Sequence, residues 1–143
     1  MPPCHHRYVS ESPTTGAAER YRQTLEEMAD LVGDLGHTDA MRRWERLVGR
    51  LDGERTALED SDEGRAAITA LMGDPRPTVR LWSAAAALSW DPQQARPVLE
   101  EIREEPVRYG LHSITAKHTL LEFDAGRWSP GGDLPGSPAS GST

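Results

Sequence analysis

The sequence predicts an all-α protein, a short α-α superhelix of about six helices in three hairpins. Three observations carry this prediction. Apolar residues recur every three or four positions between residues 16 and 128, turn-forming residues divide this stretch into helix-sized segments, and no segment alternates in the manner of a strand. We therefore expect one helical repeat domain over residues 16–128.

The two ends of the chain are predicted to be disordered. Residues 1–15 include three prolines and no apolar periodicity, and residues 129–143 are glycine, proline or serine at all but four positions. Segments of this composition cannot bury enough apolar surface to offset the entropy that is lost on ordering.

Composition disfavours several classes of protein. The chain has 143 residues, a net charge of −7 and a single cysteine, Cys4. It lacks the run of roughly 20 apolar residues that a membrane helix needs, and proteins that bind nucleic acid through phosphate contacts are normally basic. We therefore expect a soluble, cytoplasmic protein that has no disulfide. We expect it to bind neither a membrane nor nucleic acid.

The first two helices are predicted from helical spacing and from cap residues. Thr15 and Thr38 are candidate N-caps, and Gly49 and Gly53 weaken the second helix without ending it, so that it can run through Leu58. The apolar positions are Tyr21, Leu25, Met28, Val32 and Leu35 in the first helix and Met41, Trp44, Leu47, Val48 and Leu51 in the second.

The third and fourth helices are separated by a turn rich in proline. Asp60 to Glu63 has the spacing of a capping box and opens the third helix. Pro77 suits the first position of the fourth helix, which extends from Thr78 to about Trp90. That helix is apolar almost all round, so we expect it to be packed between neighbours. The third helix is expected to face inward with Ala67, Ile68, Leu71 and Met72.

The fifth helix starts at Asp91 and Pro92, and Pro97 is expected to make its first turn irregular or to delay its regular part to about Arg96. The sixth helix follows Gly110 and ends before Gly126. Its expected inward residues are Leu111, Ile114, Leu120, Leu121 and Phe123.

Two of the predicted hairpins share one plan. Ile68 and Leu71 match Leu99 and Ile102 at an offset of 31, and Val79, Trp82, Ala84 and Leu88 match Leu111, Ile114, Ala116 and Leu120 at an offset of 32. A period of this length with two helices per unit is typical of a helical solenoid, in which each pair buries its apolar face on the next.

The segment from Ile68 to Leu88 resembles a HEAT repeat, with an Asp-Pro turn at Asp74 followed by Val79-Arg80, paired alanines and the closing leucine. Residues 64–128 are similar to a bacterial domain-of-unknown-function family of HEAT-like proteins, through Val79-Arg-Leu-Trp82, Ala95-Arg-Pro-Val-Leu-Glu-Glu-Ile102 and Ala116-Lys-His-Thr-Leu-Leu-Glu-Phe123. The resemblance implies a HEAT/armadillo-like solenoid, and no activity is established for that family.

The repeat residues are expected to serve structure first. Asp74 can accept hydrogen bonds from free N–H groups at the start of the fourth helix, and Arg80 can pair with an acidic turn residue. A ligand-binding role for Arg80 is the alternative. Trp82 is expected in the core, with a surface role as its alternative.

No motif for catalysis or for a cofactor is present, and none of the familiar metal-protease, phosphate-loop or serine-hydrolase patterns occurs. Cys4, His5 and His6 are of metal-ligand type but adjoin one another in a loose segment. His112 and His118 are six positions apart, which is not the spacing of a metal pair on one helix face. We therefore predict no catalytic residue, metal or cofactor.

We predict a non-catalytic protein-binding scaffold or accessory module. The alternatives are an immunity or antitoxin protein that masks a basic toxin domain, a structural subunit and, least favoured by the acidic charge, a HEAT-like DNA alkylation-repair glycosylase. The partner protein and the oligomeric state are left open. Because the second helix of each HEAT pair lines the concave side, the predicted binding residues are Arg43, Trp44, Arg80, Trp90, Lys117 and His118.

Overall fold

The structure, a computed structural model, describes residues 13–128. The described residues contain seven α-helices and no strand. The helices are α1 Pro13–Leu31, α2 Thr38–Glu59, α3 Asp62–Ala70, α4 Pro77–Ala87, α5 Pro92–Glu104, α6 Pro106–Tyr109 and α7 Leu111–Asp124, with 3-10 turns at Val32–Asp34 and Leu71–Gly73. The all-helical prediction is confirmed, but the helix count of six is wrong because α6 is a separate one-turn helix.

The predicted domain boundaries can be compared with the structure only in part. The tail 129–143 and most of the segment 1–15 lie outside the described residues. Thr15 is inside α1 and is therefore not its N-cap. Thr38 is the first residue of α2, which follows an extended His37 that makes no side-chain capping bond.

The junction between α2 and α3 is a tight connection. The prediction that α2 runs past Gly49 and Gly53 is confirmed, since the helix ends at Glu59. The capping acceptor of α3 is Ser61, one position later than predicted, and its Oγ accepts from the Gly64 N–H at 2.9 Å.

The central helix α4 begins at Pro77, as predicted. All four of its consecutive alanines, 84–87, are buried. The following helix, α5, starts at Pro92 and continues through Pro97, so the expected irregular or delayed start is wrong. Inside the helix, Pro97 cannot donate to the carbonyl one turn back and its ring crowds that carbonyl, yet the helix continues. Asp91 caps the helix by accepting from the Gln94 N–H at 3.2 Å.

Gly110 divides α6 from α7. Its φ of +57° and ψ of −127° are accessible to glycine but strained for other residues. The phase predicted for the following helix is partly wrong. Leu120 is buried, but Leu111, Ile114 and Leu121 are 70, 52 and 53% exposed.

Two apolar clusters form the core, and α4 contributes to both. The first cluster joins α4 to α5 and α7, and the second joins it to α1 and α2. The expectation that α4 is packed between neighbours is confirmed. None of the described helices is long and apolar enough to cross a membrane.

Candidate functional site

A pair of tryptophans joins α2 to α4. The rings of Trp44 and Trp82 have centroids 6.0 Å apart and planes inclined at 71°, an edge-to-face arrangement that favours aromatic pairs. Both side chains are partly buried, and Trp82 packs against both core clusters. The core prediction for Trp82 thus holds for its inner face, while part of each ring system stays accessible.

Arg43 adjoins Trp44 along α2 and lies on the edge shared with α1. Its side chain is 51% exposed, and its Nη2 lies 2.6 Å from Oε1 of Glu27. Arg50, two turns further along α2, takes the other carboxylate oxygen of Glu27 at 2.5 Å. The two arginines clamp one acid of α1, and Arg43 keeps half of its surface for solvent.

Arg80 is used inside the fold. Its guanidinium donates to the Tyr109 hydroxyl at 3.0 Å and to the Glu101 carboxylate, and its side chain is only 16% exposed. Burial alone would lower the Arg80 pKa, but the bonds to Glu101 and Tyr109 raise it. The predicted acidic pairing is present, although Glu101 lies on α5 and not in a turn.

Trp90 follows α4 and faces α3. Its indole Nε1 donates to Oγ1 of Thr69 at 3.1 Å. It borders an open depression of about 550 Å³, whose other lining residues are Asp62, Arg65, Ala66, Thr69, Ala70, Asp91 and Gln94. The depression combines an aromatic face with polar groups of both charges.

Lys117 and His118 lie on the exposed side of α7. Lys117 makes no ion pair with any described residue. His118 acts only at a distance, as a minor contributor to the lowered pKa of Glu122, which is caused mainly by the hydrogen bond from Arg127.

The six predicted binding residues do not form one contiguous contact set. Trp44 and Trp90 both pack against the second core cluster. No hydrogen bond, ion pair or ring contact links any two of the six within residues 13–128. Arg80 points toward α5 and α6, whereas Trp90 points toward α3.

Sequence reasoning missed an exposed and mainly apolar row on α7, which we call the α7 stripe: Leu111, Ile114 and Leu121, with the polar His118 between the last two. The opposite side of the helix is held by the small or polar residues Ser113, Ala116 and Thr119, with Leu120. Because α7 is apolar on both sides, periodicity alone does not distinguish the inner face from the outer one. The sequence did offer one signal: small side chains lie on one side of α7 and large apolar ones on the other, and the side with small side chains can approach neighbouring helices more closely.

Two further polar side chains, those of Asp74 and Tyr21, lie within the fold. Asp74 Oδ1 accepts from the Arg76 N–H at 2.9 Å just before α4, as predicted, and the Arg76 guanidinium lowers the Asp74 pKa. Burial raises the Tyr21 pKa, and its hydroxyl lies near that of Ser83 without a well-formed hydrogen bond. Among residues 13–128, no group of three histidine, cysteine or carboxylate side chains is placed to hold a metal ion.

Comparison with known proteins leaves the chain without an assigned relative. No family model, curated protein or solved structure matches it. The likeness to HEAT repeats therefore rests on the pattern of residues 64–128 described above.

Proposed function

We propose that this chain is a non-catalytic protein-binding module of the cytoplasm, built as a short HEAT-like solenoid from the pairs α1/α2, α3/α4 and α5/α7. The packing of α1 on α2 and of α5 on α7 supports this pairing, as does the position of α4 between them. In such a stack α2, α4 and α7 are the second helices, which line the binding side.

One observation carries the proposal: the partly accessible Trp44–Trp82 pair spans two helix pairs beside the half-exposed Arg43. Tryptophan and arginine supply a large share of binding energy at protein interfaces, because they combine large contact area with hydrogen-bond donors. A partner seated here would bridge two repeats. Arg80 supports this surface indirectly by anchoring α4 to α5.

The test is site-specific crosslinking in the native host. A photo-reactive amino acid at position 43 of the tagged full chain should capture one reproducible protein, which then binds the purified chain in a reconstituted assay. Arg43→Ala should weaken that binding by about threefold to thirtyfold, the usual range for an interface arginine.

Arg20→Ala is the matched control, because Arg20 is exposed on α1 and makes no ion pair with a described residue. Trp44→Phe keeps a buried ring and checks the aromatic contribution without emptying the core. Binding that is unchanged in both Arg43→Ala and Trp44→Phe would refute this surface.

A second candidate, an immunity protein that masks a basic toxin domain, is favoured by the distribution of charge. Asp30, Asp34 and Asp39 are exposed, form no ion pair with any described residue, and lie in or directly beside the connection between α1 and α2. Most other described carboxylates are paired with arginines. Arg42 and Arg46 of α2 are also exposed without an ion pair among the described residues, so the acidic excess is confined to the connection itself. Negative charge there suits a cationic partner.

The two candidates are separated by charge reversal. If an adjacent gene encodes a basic toxin, Asp30→Lys with Asp34→Lys should abolish protection, while Asp62→Lys, which alters an exposed acid paired locally with Arg65, should not. Protection that survives the double reversal would exclude this candidate.

A further inference from the structure

The α7 stripe consists of three exposed apolar side chains and one histidine, and none of the three apolar side chains packs against either core cluster. Its residues are spaced by three, four and three positions, which places them in one line along the helix. Val107 of the neighbouring helix α6, four positions before Leu111, is also fully exposed. Single exposed leucines are ordinary on protein surfaces, whereas neighbouring exposed apolar side chains are typical of interaction sites.

The internal repeat indicates what kind of element fits the row. At the offset of 32, Leu111, Ile114 and His118 correspond to Val79, Trp82 and Ala86 of α4. Val79 and Ala86 are buried in the second core cluster, against which Trp82 packs. That cluster includes Tyr21, Leu25 and Met28 of α1. The matching face of α4 is thus covered by an amphipathic helix.

The charged residues near the row indicate what kind of partner helix would bind there. Lys117, beside the row, has no acidic partner among the described residues. Arg108, just before it, is 64% exposed and reaches Glu105 only at 3.8 Å. The Arg108 guanidinium also lies 5.0 Å from the centre of the Tyr109 ring. In a chain with a net charge of −7, Lys117 is thus an unpaired cation beside apolar side chains, and Arg108 is a second cation that is only loosely held. A helix with acidic flanks would be attracted to this edge.

We propose that the α7 stripe binds an amphipathic helix of a partner protein, with apolar side chains three and four positions apart and acidic residues beside them. This inference rests on the proposed protein-binding function and names a second surface for it. The helix covers α7 as α1 covers α4, with its acids toward Lys117 and Arg108.

A second copy of the chain fits the row less well. In an antiparallel pair centred on the row, Lys117 of each copy would lie close to the same residue of the other, and like charges repel. The row spans eleven residues, about 16 Å of helix. That is short for a stable dimer, which normally buries about 800 Å² per partner.

The probe is a fluorescently labelled peptide of residues 13–31, the sequence of α1, added to the unlabelled full chain. This segment has the required apolar spacing, and Glu26 and Glu27 lie beside it. We expect saturable binding below about 1 mM, weak because an isolated helix must fold on binding. Ile114→Asp should weaken it at least about tenfold. Lys117→Glu should weaken it by about threefold, an effect that disappears in roughly 1 M salt.

Met41→Asp is the matched control, since Met41 is 40% exposed on α2, and it should leave affinity unchanged. Affinity that is equal in Ile114→Asp and wild type, or absence of binding, would overturn the inference. Concentration-dependent dimers that Ile114→Asp dissolves would show that a second copy occupies the row. Tighter peptide binding after removal of residues 129–143 would show that this tail, and no partner helix, occupies the α7 stripe. The crosslinking test at position 43 does not depend on these outcomes, so the α7 inference can fail while the proposed protein-binding function holds.

Discussion

His112 shows how hydrogen bonds can select one tautomer of a neutral histidine ring. Its Nδ1 lies 3.2 Å from the carbonyl oxygen of Tyr109, which can only accept, so Nδ1 carries the proton. Nε2 of the neutral ring then accepts from the Thr78 hydroxyl at 2.8 Å. Burial lowers the His112 pKa below its usual value of 6.5, despite the opposing bond to Tyr109.

We predict that His112 makes the fold sensitive to mild acid. The unfolded chain takes up this proton as the pH falls below 6.5, while the folded chain resists until a lower pH. The unfolded state therefore binds more protons in that window, and stability falls as the pH falls. Urea titrations at pH 7.5 and 5.5 should show a larger loss of stability for wild type than for His112→Gln. Equal losses would exclude a role for His112.

Residue roles were predictable where the partner is close in sequence. Asp74 was correctly assigned to the start of α4 because its acceptor and the Arg76 N–H belong to one turn. The partners of Arg80 could be predicted only as a class, an acid. Tyr109 lies 29 positions away, and its approach depends on how α6 packs, which no local spacing encodes.

Trp82→Ala should destabilise the protein by about 3 kcal/mol, the lower end for a large aromatic because its ring is partly exposed. Stability is lost because the substitution leaves a cavity where the Trp82 ring packs against both core clusters and against Trp44 of α2. Trp82→Phe should lose less, since a ring remains against Trp44. Chemical denaturation measures both, and a loss below about 1 kcal/mol would place Trp82 outside the core.

At the scale of elements, the close approach of α3 to α2 depends on Gly64. A β-carbon built at Gly64 would lie 2.0 Å from the carbonyl oxygen of Leu58, a backbone atom that cannot turn aside. The first turn of α3 therefore sits directly on the end of α2, and glycine is the only residue that fits there.

Gly64→Ala is expected to cost more than about 2 kcal/mol, because the clash must be relieved by moving a helix. Gly49→Ala and Gly53→Ala provide the contrast. Both lie in α2 with open space around them, and alanine there should stabilise the helix by about 0.5 to 1 kcal/mol. Thermal melts that rank the three variants alike would contradict the packing at this junction.

The elements themselves were largely predictable, but their orientation was not. Pro97 lies inside α5 and beyond its first turn, and the helix continues through it although one hydrogen bond is lost there. The inner face of α7 is set by how closely Ala116 and Ser113 let it approach its neighbours, a property of two helices together. The candidate binding residues show the same limit. The fourth helix is predicted to reach about Trp90, but α4 ends at Ala87 and Trp90 lies in the turn that follows.

For the whole molecule, Trp128 ties the end of the described chain to its centre. Its indole Nε1 donates to the carbonyl oxygen of Ala85 in the last turn of α4, at 3.0 Å. Carbonyls at a helix end lack partners within the helix, so this bond satisfies one of them. The ring also packs against the first core cluster.

Two truncations test this tie. Removing residues 129–143 should leave the melting temperature nearly unchanged, because their composition offers little apolar surface to bury. Removing residues 128–143 should lower it by about 4 to 8 °C, as expected for a loss of about 1 kcal/mol or more in a domain of this size. A drop of several degrees on the shorter truncation would show that the tail docks.

The position of α4 between both clusters has a consequence for how the molecule opens. Amide protons exchange with solvent only when their helix breathes, and peripheral helices can fray while the rest persists. Because α4 contacts α1, α3, α5 and α7, its amides cannot be released without disrupting both halves of the core. In deuterium exchange, the amides of its buried alanines should be the last to exchange, at a rate set by global unfolding.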